Sequence, residues 1–408
     1  MKSFVILGGK PLVGNVTVSG SKNSALPILF ATVIARGESI IENLPKIGDT
    51  EAALTILSEL GADIRLDGNT ARINTESLVY SEPSSALTSL IRASTYLIGS
   101  LLARFGRCRL STFGGCNFAD RPIDIHLDSA YRLGATREGE LLLANSLHPA
   151  EITLRLPSVG ATVNTLLLAS SIKGKTVIRG FAREPHILTL IDFLRSAGAK
   201  IELSDGEITV EGGDLHGGRV RVDGDVLEAA TLLTAGAITN GRVGVIGVDF
   251  NAMNSITRAF SALGLSLHYE GEALVCERGE YSYYTEIVAR PYPGFPTDLQ
   301  PIFAPLFASL SGGKITDTVW RERFGYLDEL ARLGVKSARL TDGALIYKSK
   351  QHSGTASSPD LRGGMSLVLS ALHSRGESRI YSAEKILRGY ERLDEKLSLL
   401  GADIEIFG

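Results

Sequence analysis

One amphipathic segment recurs six times along the chain. ILSELGADIRL, SAYRLGATREG, FLRSAGAKIEL, AFSALGLSLHY, ELARLGVKSAR and LSLLGADIEIF each carry an apolar stretch into a glycine and out into alternating residues. The glycines are Gly61, Gly134, Gly198, Gly264, Gly334 and Gly401, spaced 73, 64, 66, 70 and 67 residues apart. A glycine there suits the left-handed turn that ends a helix, and the alternation after it reads as a strand. A second segment lies between the copies of the first: SALPILFATVIARG, LTSLIRASTYLIGSLLARFG, VNTLLLASSIKG, EAATLLTAGAITNG, DLQPIFAPLFASLSGG and GGMSLVLSALHSRG. It is apolar nearly all round, which predicts a buried helix. Its copies end at Gly37, Gly106, Gly174, Gly241, Gly313 and Gly376, and short strands such as KTVIRG or ESRIYS follow.

The chain therefore reads as six units of roughly 65–70 residues, each with one buried helix, one surface helix and short strands. A solenoid would need polar terminal caps, and the first helices at both chain ends are equally apolar. Closure into two globular lobes of three units fits better and makes the fold class mixed α/β (α+β). About 200 residues per lobe is a comfortable core size. The expected division is residues 22–223 for one lobe and 1–21 with 224–408 for the other. The N-terminal strand is assigned to the second lobe because its unit is otherwise one strand short.

The loops that open the helices carry charge at equivalent points. Lys22, Arg92, Arg121, Arg183, Arg323, Arg362 and Arg388 share this repeat phase, with Asn23, Ser158-Val159-Gly160, Asp225, Glu228 and Asp298 in the same loops. Helix N-termini favour anions through free N–H groups and the macrodipole, and added cations build a site for phosphate or carboxylate. Each residue alone admits a plainer reading. Arg92 interrupts an apolar helix and is either an ion-pair partner or an anion ligand, since a buried cation needs a partner in both cases. Lys22 is a solvated loop lysine or a ligand, Arg323 a surface-helix cation or a ligand, and Asp298 an N-cap or a general base. Independent salt bridges have no reason to share a phase, so the joint pattern favours the anion site. Lys+Arg of 42 against Asp+Glu of 45 leaves a net charge of −3. No global field then draws nucleic acid or an anionic membrane, and anion binding has to be local.

Three cysteines in a long chain argue against a disulfide framework. Cys108 and Cys276 sit in strand-like runs, whereas Cys116 sits in the polar, Gly-rich GGCNFAD near Arg121. That thiol is either structural or, with a lowered pKa, a nucleophile or proton donor. No HExxH, CxxC, Walker or GxGxxG spacing occurs, so no metal site is expected. No secretory leader is recognisable, and the longest apolar stretch, 87–102, is cut by Arg92. A reduced, soluble, cytoplasmic protein without membrane insertion is expected.

VSGSKNSALPILFA, PSVGAT, GGCNFADRPIDIH, AREP, FPTD and RGYERLDEKLSLLGA, in this order over essentially the whole chain, resemble the UDP-N-acetylglucosamine 1-carboxyvinyltransferase family of enolpyruvyl transferases. EPSP synthase, its sister, shares the sixfold architecture but lacks the cysteine loop. The resemblance implies an inside-out α/β barrel of two lobes built from six βαβαββ-like repeats, with the active site in the interlobe cleft and the Cys116 loop as a lid. It implies transfer of the enolpyruvyl group of phosphoenolpyruvate to the 3-hydroxyl of UDP-N-acetylglucosamine with release of phosphate, the first committed step of peptidoglycan synthesis. No cofactor is implied.

Carried over by position, Lys22, Arg121 and Arg388 would hold the phosphate of phosphoenolpyruvate, and Arg92 and Arg362 would complete the anion ring. Asn23 and Asp298 would touch the acceptor hydroxyl, and Cys116 would protonate the methylene carbon. Arg121, Pro122, Ile123, Asp124 and Ile125, with Ser158, Val159, Gly160 and Val319, would line the nucleotide-sugar pocket. The chain departs from the family pattern at Leu156, Val226, Trp320, Arg321-Glu322 and Leu387, and Asp120 adds a carboxylate. These changes bear on the acceptor more than on the reaction. Two alternatives stay open: the same chemistry on another nucleotide, such as UMP in nucleoside-antibiotic biosynthesis, and a non-catalytic nucleotide-sugar-binding relative.

Overall fold

The computed structural model describes residues 2–110, 122–279 and 283–408. Cys116 and Arg121 lie outside the described residues, so the roles expected of them stay with the sequence reading. The chain resolves into two compact units, one holding residues 20–110 and 122–223, the other residues 2–19 and 224–408.

Three apolar helices fill the core of the N-terminal unit: α1 (Lys22–Ala31), α2 (Leu97–Phe105) and α3 (Val159–Ser171). In the C-terminal unit the same place is taken by α4 (Val226–Ile238), α5 (Gln300–Ser309) and α6 (Leu361–His373). Phe303 of α5 is fully buried, with the rings of Phe260 and Phe295 edge-on at 5.2 and 5.0 Å. Truncating such a side chain to alanine costs about 3–5 kcal/mol.

Around these helices lie six small sheets among the described residues, five of four strands and one of three. Each four-stranded sheet joins one parallel pair to two antiparallel pairs. Glu151–Thr153 runs parallel to Gly174–Arg179, which pairs antiparallel with Glu207–Gly212 and through it with Lys200–Ser204. The parallel pair brackets α3, as a crossover helix requires. Two units take their parallel strand from elsewhere in the chain: Arg219–Arg221 pairs with Glu38–Glu42, and Val13–Thr17 with Arg242–Ile246. Ser3–Gly8 lies antiparallel between Gly376–Tyr381 and Asp403–Phe407.

All six repeat glycines, Gly61, Gly134, Gly198, Gly264, Gly334 and Gly401, take positive φ, between 81° and 110°. A side chain is strained in that region, so the repeat keeps glycine there. After α4 and α5 the left-handed residues are Asn240 and Gly312, one position before Gly241 and Gly313. Two expectations need correction. The second repeat is one strand short among the described residues, with only Arg107–Arg109, Leu141–Leu143 and Thr136–Glu138. Its helix is also broken: a short turn (Ser85–Thr88), an extended Ile91 and a 3-10 turn (Arg92–Tyr96) precede α2. Ser94 Oγ accounts for the break, because it lies 2.7 Å from the carbonyls of both Thr88 and Ile91 and competes with helical pairing. Arg92 consequently heads a helix, half-buried, instead of interrupting one.

Candidate active site

In the C-terminal unit the helix beginnings gather the expected charges. Asp298 sits in the 3-10 turn Thr297–Leu299 that leads into α5, and its carboxylate turns to two guanidinium groups. Arg323 Nη1 donates to Oδ1 at 2.6 Å, and Arg362 Nε stands 3.6 Å from Oδ2. The N-cap duty expected as its plain alternative falls instead to other residues in both units. Asp225 caps α4 and Asp360 caps α6, while Ser21 and Ser158 cap α1 and α3.

Arg362 is the second residue of α6 and is 2% exposed. Its Nη1 and Nη2 have no hydrogen-bond partner among the described residues. Tyr390 stacks on it, with the ring centre 4.9 Å from the guanidinium carbon, and Tyr390 Oη lies 2.9 Å from Thr231 Oγ1. Burial opposes the charge on Arg362, but Tyr390, Asp298 and Asp225 outweigh it and raise its pKa. A buried cation with open donors can receive an oxyanion, and an unanswered buried donor is costly. Arg388 caps the short helix Ala383–Leu387, half-buried and two residues before Tyr390. Val319 follows the strand Gly313–Asp317, and its N–H donates to Asp317 Oδ1 at 2.9 Å.

The N-terminal unit carries the remaining set. Lys22 opens α1 and Asn23 follows, half-buried. A cation at that end opposes the helix dipole, and Asp49 offsets it, its Oδ2 3.1 Å from Nζ with the side chains 16% and 5% exposed. Arg92 places its charge near His126, which is almost fully buried; burial first and Arg92 second push the imidazole down to about 4. Val159 and Gly160 start α3, and Gly160 packs directly on His126. Ile123 and Ile125 rest half-buried against the core, while Pro122 and Asp124 are exposed and Asp124 is ion-paired to Arg155. Lys22, Asn23, Arg92, residues 122–125 and residues 158–160 thus belong to one unit, and Val319, Asp298, Arg362 and Arg388 to the other.

Among the described cations in phase, two depart from the pattern: Arg183 is exposed, 5.7 Å from the Phe181 ring centre, and Arg388 closes the helix Ala383–Leu387 where a helix beginning was expected. Sequence reasoning does not single out Asp49, His126 or Asp317, and the resemblance does not put Arg323 in the substrate set. Each of these contacts joins residues about 20–35 apart through tertiary packing, and no motif signals it. Among the departures from the family pattern, Val226 and Leu387 pack on the core, and Leu156 is 61% exposed. His268, Glu270 and Glu277 come within metal-ligand reach of one another, but both glutamates are ion-paired to Arg242. Among the described residues no helix is long and apolar enough to cross a membrane.

Residues 6–397 match the family model described as EPSP synthase (3-phosphoshikimate 1-carboxyvinyltransferase). The UDP-N-acetylglucosamine 1-carboxyvinyltransferase of Prosthecochloris aestuarii is 38% identical over 416 residues, covering 99% of this chain and 98% of the relative. That of Halothermothrix orenii is 37% identical, covering 99% of each chain. Among solved structures, the enolpyruvyl transferase NikO from Streptomyces tendae superposes with a TM-score of 0.90 at 26% identity, covering 99% of this chain and 98% of NikO. EPSP synthase from Acinetobacter baumannii superposes with a TM-score of 0.74 at 21% identity over the whole of both chains, a likeness of fold.

Proposed function

The chain belongs to the EPSP synthase family of enolpyruvyl transferases, and we propose that it transfers the enolpyruvyl group of phosphoenolpyruvate to the 3-hydroxyl of UDP-N-acetylglucosamine. Phosphate leaves, and the product belongs to the first committed step of peptidoglycan synthesis, in the cytoplasm. The accompanying fold reading is the inside-out α/β barrel of six repeats, with the lobe division at residues 22–223 against 1–21 and 224–408. The observation that carries the reading is Arg362, buried and paired to Asp298, with two nitrogens open to an oxyanion.

Phosphoenolpyruvate bears a carboxylate and a phosphate, so its site needs several fixed cations. Lys22, Arg121 and Arg388 take the phosphate, with Arg92 and Arg362 completing the ring. Cys116 delivers a proton to the methylene carbon, leaving an oxocarbenium-like centre at the neighbouring carbon. A thiol near its free pKa of about 8.5 still holds that proton at neutral pH. The acceptor hydroxyl, touched by Asn23, attacks that carbon, and Asp298 takes the hydroxyl proton as the new C–O bond acidifies it. The thiolate then recovers a proton from the methyl group, the C–O bond to phosphate breaks as the departing oxygen takes the proton held by Asp298, and the enol ether forms. Residues 121–125 and 158–160, with Val319, hold the nucleotide sugar.

Exposed Leu156 beside Ser158 favours a second reading, in which the acceptor is another nucleotide. Phosphate release from phosphoenolpyruvate decides between them. Release with UDP-N-acetylglucosamine is expected, release with UMP alone would move the acceptor, and no release with either would overturn the transferase reading.

A further inference from the structure

We infer that Asp317 is a positioning residue that aligns Asp298 and the turn at Val319 from one buried carboxylate. The inference rests on the reading of Asp298 as the group that takes the acceptor proton. Asp317 is fully buried at the end of the strand Gly313–Asp317. Its Oδ1 accepts the N–H groups of Val319 at 2.9 Å and Trp320 at 2.8 Å, and its Oδ2 accepts the Thr297 hydroxyl at 2.6 Å. An ionised carboxylate only accepts, so the Thr297 proton points at Asp317 and the lone pairs of Oγ1 are left for a donor. That donor is Arg323 Nη1, at 3.2 Å, and the same nitrogen donates to Asp298 Oδ1 at 2.6 Å.

Arg323 is also pinned from behind. Its carbonyl accepts from Gln300 Nε2 at 2.6 Å, and Gln300 Oε1 accepts from Tyr326 Oη at 2.6 Å, with Gln300 and Tyr326 buried. Two chains of bonds therefore leave one carboxylate. One runs through Thr297 and Arg323 to Oδ1 of Asp298; the other fixes the main chain of the turn that follows the strand. Oδ2 of Asp298 makes the longer, 3.6 Å approach to Arg362, and Oδ1 is the oxygen that Arg323 holds at 2.6 Å. A bond of 2.6 Å between a hydroxyl and a buried carboxylate is short and charge-assisted, so it transmits position stiffly.

The test compares Thr297→Val, which keeps shape and loses the hydroxyl, with Thr297→Ser, which keeps the hydroxyl. Thr297→Val is expected to lower kcat by ~10–100-fold, the effect of misplacing a reacting group by about 1 Å. It should also raise KM for the nucleotide sugar while leaving phosphoenolpyruvate binding unchanged. Thr297→Ser should restore kcat, and Thr297→Val should add little in an Asp298→Asn background, because residues acting as a unit are non-additive. A wild-type kcat in Thr297→Val, or equal losses in the Val and Ser variants, would overturn the inference while leaving Asp298 its role. Full activity in Asp298→Asn would remove both. If Thr297→Val does not fold by thermal melt, Asp317→Asn carries the same comparison.

Discussion

A methyl group on Gly160 would stand 2.4 Å from Nε2 of His126. The imidazole is buried, so the ring cannot relieve the clash by swinging out into solvent. Gly160→Ala should destabilise the N-terminal unit by about 1–3 kcal/mol, the usual cost of overpacking. It should also raise KM for the nucleotide sugar, since Gly160 opens α3 beside Val159 and Ser158. Urea melts and steady-state kinetics check both effects, and an unchanged melt would show that the imidazole has room to move.

His126 makes stability depend on pH. Its pKa falls from 6.5 in the free side chain to about 4 in the folded protein, chiefly through burial. The unfolded chain binds a proton that the native state refuses, so the contribution is full above pH 6.5 and shrinks as pH falls towards 4. A difference of this size is on the order of 3 kcal/mol. His126→Gln should flatten this part of the slope between pH 7 and pH 4.5. Parallel slopes for the two proteins in urea melts would rule it out.

Cys108 and Cys276 are buried, and desolvation pushes both thiols up to about 12. The thiolate is the reactive form, so both should stay silent towards alkylating reagents at pH 7. In the native protein, iodoacetamide and fosfomycin should label Cys116 alone, with the nucleotide sugar present, and denaturant should expose the other two. Cys116→Ser should abolish turnover with the fold intact, because serine is too weak an acid. Mass spectrometry of the labelled peptides and the kcat of the variant provide the check; an unlabelled Cys116 peptide or a wild-type rate would sink the assignment.

Lys396 and Glu228 form a pair 2.5 Å apart, with side chains 12% and 2% exposed. Glu228 Oε2 also accepts the N–H of Ser19 at 2.6 Å, and Lys396 donates to Ser19 Oγ at 2.6 Å. Lys396→Met should cost about 3–5 kcal/mol, because it strands a buried carboxylate. The double variant Lys396→Met with Glu228→Gln should recover much of that loss. Additive losses in chemical denaturation would mean the pair is not coupled.

The repeat was legible because its signals are local. A helix ending at Gly61 or Gly401 is encoded within a dozen neighbouring residues, and all six such glycines adopt the backbone the pattern asks for. The break before α2 was not legible, since Ser94 reads as one more small residue in an apolar run until its hydroxyl is seen on two carbonyls. The ambiguity of Arg323 was likewise beyond sequence. Nothing in WRERFGYL shows that a cation beside a surface helix is 3% exposed and paired to Asp298, 25 residues away.

By itself the chain determined the periodicity, the apolar helices that must be buried, the cations at their beginnings and, through its motifs, the family. These follow from backbone preference and the removal of apolar surface from water, both of which act over a few residues at a time. Tertiary structure alone decided which charges face each other: Arg323 and Arg362 on Asp298, Asp49 on Lys22, and Asp317 behind Thr297. Those pairings depend on distances of about 3 Å between residues brought together by packing, and a few ångströms of displacement separate an ion pair from two solvated charges.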